Sequence, residues 1–291
     1  SSYGERVVLR LLDKESSQIN IDDLGLNQVV LRNFKKSLNS SEGMILVTGP
    51  TGSGKTTTLY AGLRHINDNS LNILTVEDPI EYTLEGIGQT QVNNKTGYDF
   101  ARGLRSILRQ DPDVVMLGEI RDEETARIAI QSSLTGHLVM STVHTNSAAG
   151  AITRLRDMGI ESFLLASSLK TIISQRLIRR LCNKCKSESK VSQVAIDLLG
   201  LKKGETVFSA NGCNDCDGTG FKGRIAIAES IQVGTVLKDM IHDEASEQDI
   251  QNVAFKDIQT IDQIGSELLT KGLTSPEELI RINNQKENAS V

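Results

Sequence analysis

The stretch GPTGSGKTTTLY, Gly49 to Tyr60, follows directly on the apolar run MILV, Met44 to Val47. Glycine has no Cβ, so it enters backbone conformations closed to other residues and lets a ligand come close to the main chain. Met44–Val47 reads as a buried strand, and the segment from Thr56 through Leu59, Ala61, Leu63 and Ile66 as a helix with one apolar face. A helix N-terminus offers unpaired N–H groups and a partial positive charge, which suits a polyphosphate. Strand, glycine loop and helix in this order make Gly49-x-x-x-x-Gly54-Lys55-Thr56 a P-loop. Its expected binding residues are Gly49, Pro50, Thr51, Gly52, Ser53, Gly54, Lys55, Thr56 and Thr57 of ATP's phosphate cradle, with Lys55 on the β/γ-oxygens and Thr56 on Mg²⁺. The competing reading is a tight glycine turn, and the correctly placed strand and helix weigh against it.

Three further apolar runs each stop at a polar cluster. Ile73–Val76 delivers Glu77 and Asp78, Val114–Leu117 delivers Gly118 and Glu119, and Leu138–Val143 delivers His144, Thr145 and Asn146. In an open parallel sheet, ligands sit outside the carboxyl ends of the strands, so these clusters are expected to converge on the P-loop. Nucleotide hydrolysis needs a carboxylate to hold Mg²⁺ or orient water, with metal and lysine neutralising the transferred phosphoryl group. Glu119 is the first choice. Gly118 stands where the metal-holding Asp of a Walker-B-like strand is expected, so that role passes through water or to Glu119 or Glu77. Asp122, Glu123 and Glu124 read instead as the acidic start of a helix.

His137 and His144 bracket the third run without metal-pair spacing, and His144 is placed to sense a γ-phosphate. Arg102, Arg105 and Arg109 share one face of the helix in ARGLRSILRQ. That face is either solvated or, through Arg105, an arginine finger reaching across a subunit boundary.

Composition bounds the rest. The chain has 291 residues, which suggests about two domains. Its 32 Lys+Arg against 37 Asp+Glu give a net charge of −5, so no broad basic surface for nucleic acid is expected. No apolar run approaches the roughly 20 residues that span a bilayer, and the first residues are polar. YGERVVLRLLD, near the start, reads as a strand, as though the chain opened partway through a larger protein.

Taken together, GERVVLRLL, GPTGSGKTTTLYAGL, ILTVEDPIEY, GIGQTQVN, FARGLRSILRQDPDVVMLGEIRD and TGHLVMSTVHTNSA resemble the ATPases of bacterial type II secretion and type IV pilus assembly, the phrases being nearer to type II secretion. The resemblance implies a hexameric motor at the cytoplasmic face of the inner membrane. It implies further that ATP hydrolysis drives pseudopilus assembly there, through inner-membrane platform proteins and with no direct membrane contact. In that family's terms the four central blocks are the Walker A, Asp-box, Walker B and His-box segments, with Gly118-Glu119 typical of the family. The family also implies that Arg10, with Arg6, approaches the γ-phosphate of a neighbouring subunit. The other readings are a pilus-assembly motor, a nucleic-acid-translocating P-loop motor and a non-catalytic nucleotide-binding scaffold. The acidic balance and scarcity of aromatic residues weigh against nucleic acid.

Every cysteine falls in one of two pairs, Cys182-x-x-Cys185 and Cys213-x-x-Cys216, with 27 residues between them. Such pairs match a structural zinc site with all four ligands from protein. Two disulfides are the alternative, which reducing intracellular conditions disfavour for a nucleotide-driven motor. VAIDLLGL reads as a short helix between the pairs, GRIAIAESIQV as a strand returning to the main body, and NNQKENASV as a frayed polar end. LTSPEELIRI carries a helix start: Ser275 as N-cap, Pro276 in the first turn and Glu278 closing a capping box. The expected class is therefore α/β: a RecA-like P-loop NTPase core over 15–180, with a remnant of a preceding domain over 1–14. A tetracysteine zinc module follows over 181–224, and a return strand with C-terminal helices over 225–291.

Overall fold

The structure, a computed structural model, describes residues 4, 5, 7, 19–68, 70–199, 201 and 204–287. Arg6, Arg10 and most of the strand expected around them lie outside the described residues. The chain builds α1 (Gln28–Leu38), β1 (Gly43–Thr48), α2 (Lys55–Ile66), β2 (Ile73–Glu77), β3 (Gly88–Gln91), α3 (Phe100–Ile107) and β4 (Val114–Leu117). It continues with α4 (Glu123–Ser133), β5 (Leu138–Val143), α5 (Ala148–Asp157), α6 (Ser162–Ser168) and the long β6 (Leu169–Leu181). After β7 (Ser187–Lys190), α7 (Gln193–Leu199) and β8 (Thr206–Ser209), β9 (Phe221–Gln232) returns to the main body. Four helices close the chain: α8 (Thr235–His242), α9 (Glu247–Ala254), α10 (Ile261–Thr270) and α11 (Pro276–Glu287).

One seven-stranded sheet runs β3-β2-β4-β5-β1-β6-β9, parallel throughout except that β9 pairs antiparallel with β6. Strands β1, β4 and β5 are buried along their whole length, which is why they appear in the sequence as continuous apolar runs rather than alternating ones. Successive side chains nevertheless go to opposite faces. Met44, Leu46, Val76, Val115, Leu117 and Val139 meet α3–α6, α8 and α9 on one side. On the other, Ile45, Val47, Ile73, Met116 and Met140 meet α1 and α2. Helix starts are fixed by side chains that take up otherwise unpaired amides. Asn27 accepts from Val30 N (2.9 Å), Asp122 from Thr125 N (2.8 Å) and Ser147 from Gly150 N (2.8 Å).

A second, smaller core lies beyond the end of the sheet. Strands β7 and β8 form an antiparallel pair, and Ala195, Leu201 and Val207 pack with Ile178 and Ile227 of β6 and β9 and with Ile261, Leu269, Leu279 and Ile282. Residues after β9 thus contribute to both cores, α8 and α9 to the large one and α10 and α11 to the small one. Helix α11 begins at Pro276 with Ser275 Oγ accepting from Glu278 N at 3.4 Å, as its start signal implies. The Glu278 carboxylate does something else: fully buried, it binds Arg179 of β6 and Arg281 one turn on. The helix also extends through Glu287, past the point where fraying is expected, and residues 288–291 lie outside the described residues.

Candidate functional site

The glycine loop leaves the carboxyl end of β1 and enters α2. Gly49 and Gly54 hold φ of 145° and 86°, in the region that favours glycine, and both lie against β6. A Cβ at Gly49 would sit 2.3 Å from the Gln175 carbonyl oxygen, and one at Gly54 2.8 Å from Gln175 Nε2. Gln175 is itself buried and ties the loop to the helix, donating to the Ser53 carbonyl (2.8 Å) and accepting from Thr58 Oγ1 (2.7 Å). Lys55 folds back over the loop and donates to the carbonyls of Gly49 (2.9 Å) and Pro50 (3.1 Å). Burial, reinforced by Arg176 and opposed by Glu119, brings its ammonium down to about 8.

Glu119 follows the end of β4, and the loop after β5 brings His144 to it, with His144 Nε2 3.3 Å from Glu119 Oε2. Arg121 takes the other carboxylate oxygen. Burial works to raise the Glu119 carboxyl, but Arg121, His144 and Lys55 together hold it below its ordinary range. Burial and Lys55 hold His144 below its ordinary value, against the opposing pull of the Glu119 carboxylate. The two strand ends are pinned together by Thr48, whose hydroxyl donates to the Thr145 carbonyl (3.0 Å) and accepts from Thr145 N (3.1 Å). Glu119, Arg121, His144 and Asn146 line a cleft of about 800 Å³.

Not every sequence expectation converges here. Glu77 is 2 % exposed, and its oxygens accept from Tyr60, from Thr75 Oγ1 (2.5 Å) and from Gln89 Nε2 (3.0 Å). With those partners it is an internal tether of β2, α2 and β3, not the open carboxylate expected for metal or water. Arg105 projects from α3 into an exposed ion pair with Glu124 at the start of α4 and has no part in the Lys55, Glu119 and His144 cluster. His137 lies at the opposite end of β5, its Nδ1 3.0 Å from the Ser132 carbonyl. Conversely, Gln175, Arg176 and Arg121 carry no motif of their own. Only the IISQRLI pattern of polar residues inside an apolar run could have signalled the first two.

The four cysteines gather where β6 ends and β9 begins, all sulfurs within 4.8 Å of one another. Three measured separations are 3.9 Å (Cys182–Cys213), 3.8 Å (Cys185–Cys216) and 3.7 Å (Cys213–Cys216). Thiolates about 2.3 Å from a central zinc form a tetrahedron with edges of about 3.8 Å, whereas a disulfide would need about 2.0 Å. All four thiols are free, so the expected metal site fits and the disulfide alternative does not. Burial works against it, yet the amides of Cys213 and Gly220, each 3.2 Å from the sulfur, bring Cys216 down to about 7. Asp217 and Gly218 at φ 51° and 74° turn the chain between Cys216 and Gly220, which brings the Gly220 amide back to the sulfur.

A largely parallel sheet with a glycine loop between β1 and the following helix, facing a strand-end glutamate and histidine, defines an α/β protein of the P-loop nucleotide-binding class. Within that class, the chain belongs to the type II/IV secretion system protein family, whose family model matches residues 1–281. It is 52 % identical over 287 residues to the type II secretion system ATPase E of Vibrio cholerae, covering 98 % of this chain and 57 % of that protein. Against the type II secretion system protein E of Pseudomonas aeruginosa it is 52 % identical over 288 residues, with the same coverage. The chain therefore spans less than two thirds of these relatives' length. Among solved structures, the pilus retraction motor PilT with bound ADP matches with a TM-score of 0.68 and 30 % identity over 91 % of this chain and 66 % of that one. The Legionella pneumophila ATPase DotB matches with a TM-score of 0.67 at 21 % identity, covering 92 % of this chain and 66 % of that one, a likeness of fold. No helix among the described residues is long and apolar enough to cross a membrane.

Proposed function

We propose that this chain is the ATP-hydrolysing part of a motor that drives pseudopilus assembly in type II secretion. The observation that carries the reading is the meeting of Lys55, Glu119, Arg121 and His144 at the carboxyl edge of the sheet. The P-loop fits a polyphosphate on its own terms: Ser53 Oγ is buried inside the loop with no hydrogen-bond partner among the described residues, and Lys55 is a desolvated cation. The amides of residues 49–57 would cradle the phosphates, with Lys55 exchanging the Gly49 and Pro50 carbonyls for phosphate oxygens. Mg²⁺ held at Thr56 would neutralise charge on the β- and γ-oxygens.

Glu119, its two oxygens fixed by Arg121 and His144, orients the attacking water and receives its proton. Glu77 could share that task only by giving up one of its three present partners. Arg10 supplies a finger to a neighbouring subunit, and Arg105 remains a second candidate for that contact. The names of the relatives and the ADP in the retraction motor support this reading. So does a cysteine centre suited to one structural Zn²⁺. It extends to a hexamer in the cytoplasm, peripheral at the inner membrane and bound there to platform proteins. In this reading the ATPase core spans 15–180, the zinc module 181–224 and the return strand with the C-terminal helices 225–291. The test is phosphate release with Mg-ATP by the chain and its Lys55→Ala variant. Release that is equal in both, with both folded, overturns the assignment.

A further inference from the structure

Strand β6 carries three buried polar residues in succession, Ser174, Gln175 and Arg176, and the last two go to opposite faces. Gln175 binds the P-loop and α2. Arg176, 2 % exposed, donates to the carbonyls of Gln175 (3.2 Å) and Asn146 (2.7 Å). Asn146 lies two residues beyond His144, on the loop that sets His144 against Glu119. A guanidinium so deeply buried needs compensating charge, and burial indeed lowers its basicity while Glu229 and Asp262 restore part of it. Glu229 of β9, two residues on from Arg176's ladder partner Ile227 and so on the same face, is itself buried and accepts from Ile261 N, the first amide of α10, at 3.0 Å. Asp262 is the next residue of that helix and is exposed. The planar fork spends one terminal nitrogen on each carbonyl, Nη1 on Gln175 and Nη2 on Asn146, and so fixes their spacing.

We propose that Arg176 is a positioning residue for the nucleotide site, clamping the His144–Asn146 loop to β6, and that Glu229 and Asp262 make the start of α10 part of the same clamp. The proposal rests on reading the P-loop as a nucleotide site. The phosphate-cradling amides belong to another loop, so loosening the clamp lets His144 and Glu119 stray without removing the cradle. Turnover should then suffer more than nucleotide affinity.

The experiment compares the chain with Arg176→Gln and Asp262→Asn by three readouts: amide hydrogen exchange without nucleotide, affinity for a fluorescent ADP analogue, and phosphate release from Mg-ATP. In Arg176→Gln, exchange at residues 144–148 should quicken while that of 49–54 holds. Its kcat should fall about 100-fold with affinity kept within about threefold. Asp262→Asn, an exposed change that leaves the fold intact, should shift the same quantities in the same direction, kcat by about threefold. Unchanged exchange at 144–148 in a folded Arg176→Gln protein overturns the clamp, as does a loss confined to affinity. Should Arg176→Gln fail to fold, unchanged exchange and kcat in Asp262→Asn overturn it. Failure of the parent chain to bind the ADP analogue would sink the nucleotide-site reading instead, with the exchange comparison still deciding the clamp.

Discussion

The phosphate-binding edge and the cysteine centre are both small clusters of polar groups, but they are assembled in opposite ways. The cysteine centre is local chemistry: two Cys-x-x-Cys turns, each a few residues long, brought together by the antiparallel return of β9 along β6. The phosphate edge draws Lys55 from the start of α2, Glu119 and His144 from just beyond β4 and β5, and Gln175 from within β6, so its geometry depends on the sheet order. A local centre should fail by losing its capacity for metal and its own fold. A site assembled by topology should fail in rate while the fold persists.

The sharpest break is expected at the cysteine centre. Cys213→Ser should take zinc, measured by elemental analysis, from one ion per chain to near none, because three thiolates leave an incomplete tetrahedron. The β7–β8 region should then melt separately from the sheet. Retention of full zinc would show that the four sulfurs are not one site. At the phosphate edge, Lys55→Ala should lower phosphate release about 1,000-fold, with an unfolding temperature close to the parent's. Glu119→Gln keeps shape and loses charge, so release should fall about 100-fold while the affinity for the ADP analogue stays within threefold. An equal loss of affinity would make Glu119 a metal holder.

Two smaller effects test ion pairs that lie outside both clusters. Glu278 is buried against Arg179 and Arg281, which are about half exposed, so Glu278→Gln should cost about 2 kcal/mol in urea unfolding. Burial pushes its carboxyl up, but Arg281 and Arg179 prevail and hold it below the ordinary carboxylate value of 4.5. Its stabilisation is therefore complete above about pH 4.5 and is lost as pH falls through the lower folded value. The variant's deficit should shrink along the same path, and a deficit independent of pH would show that packing rather than charge is lost. Smallest of all, Arg105→Ala removes one exposed ion pair with Glu124 and should change stability by at most about 0.5 kcal/mol.

The same distinction explains what the sequence disclosed. The P-loop and the cysteine pairs are legible because their spacing is their geometry. The strand ends at Glu119 and His144 were also found, since a parallel strand announces itself as an unbroken apolar run. Glu77 stood at an equally good strand end, yet Tyr60, Thr75 and Gln89 hold its oxygens, and no local pattern reveals a hydrogen bond from α2. Gln175 and Arg176 escaped notice because their partners lie about 120 and 30 residues away along the chain. Glu278 gave a correct helix start for an incomplete reason: Ser275 does accept its amide, but its carboxylate is directed to β6.

Strand β6 runs unbroken from Gln175 at the glycine loop to Leu181, and Cys182 follows. At about 3.3 Å per residue, the seven steps from Gln175 to Cys182 span about 23 Å. A laddered strand resists stretching, so a shift of the loop end would reach the cysteine end almost undiminished, as along a push rod. The pairing with β9 is irregular between Arg179 and Leu181, and such interruptions are where a ladder bends. That short step, flanked by Phe221 beneath the Arg179 guanidinium and by the Glu278 carboxylate, is therefore where axial displacement would turn into rotation of the cysteine-bearing end.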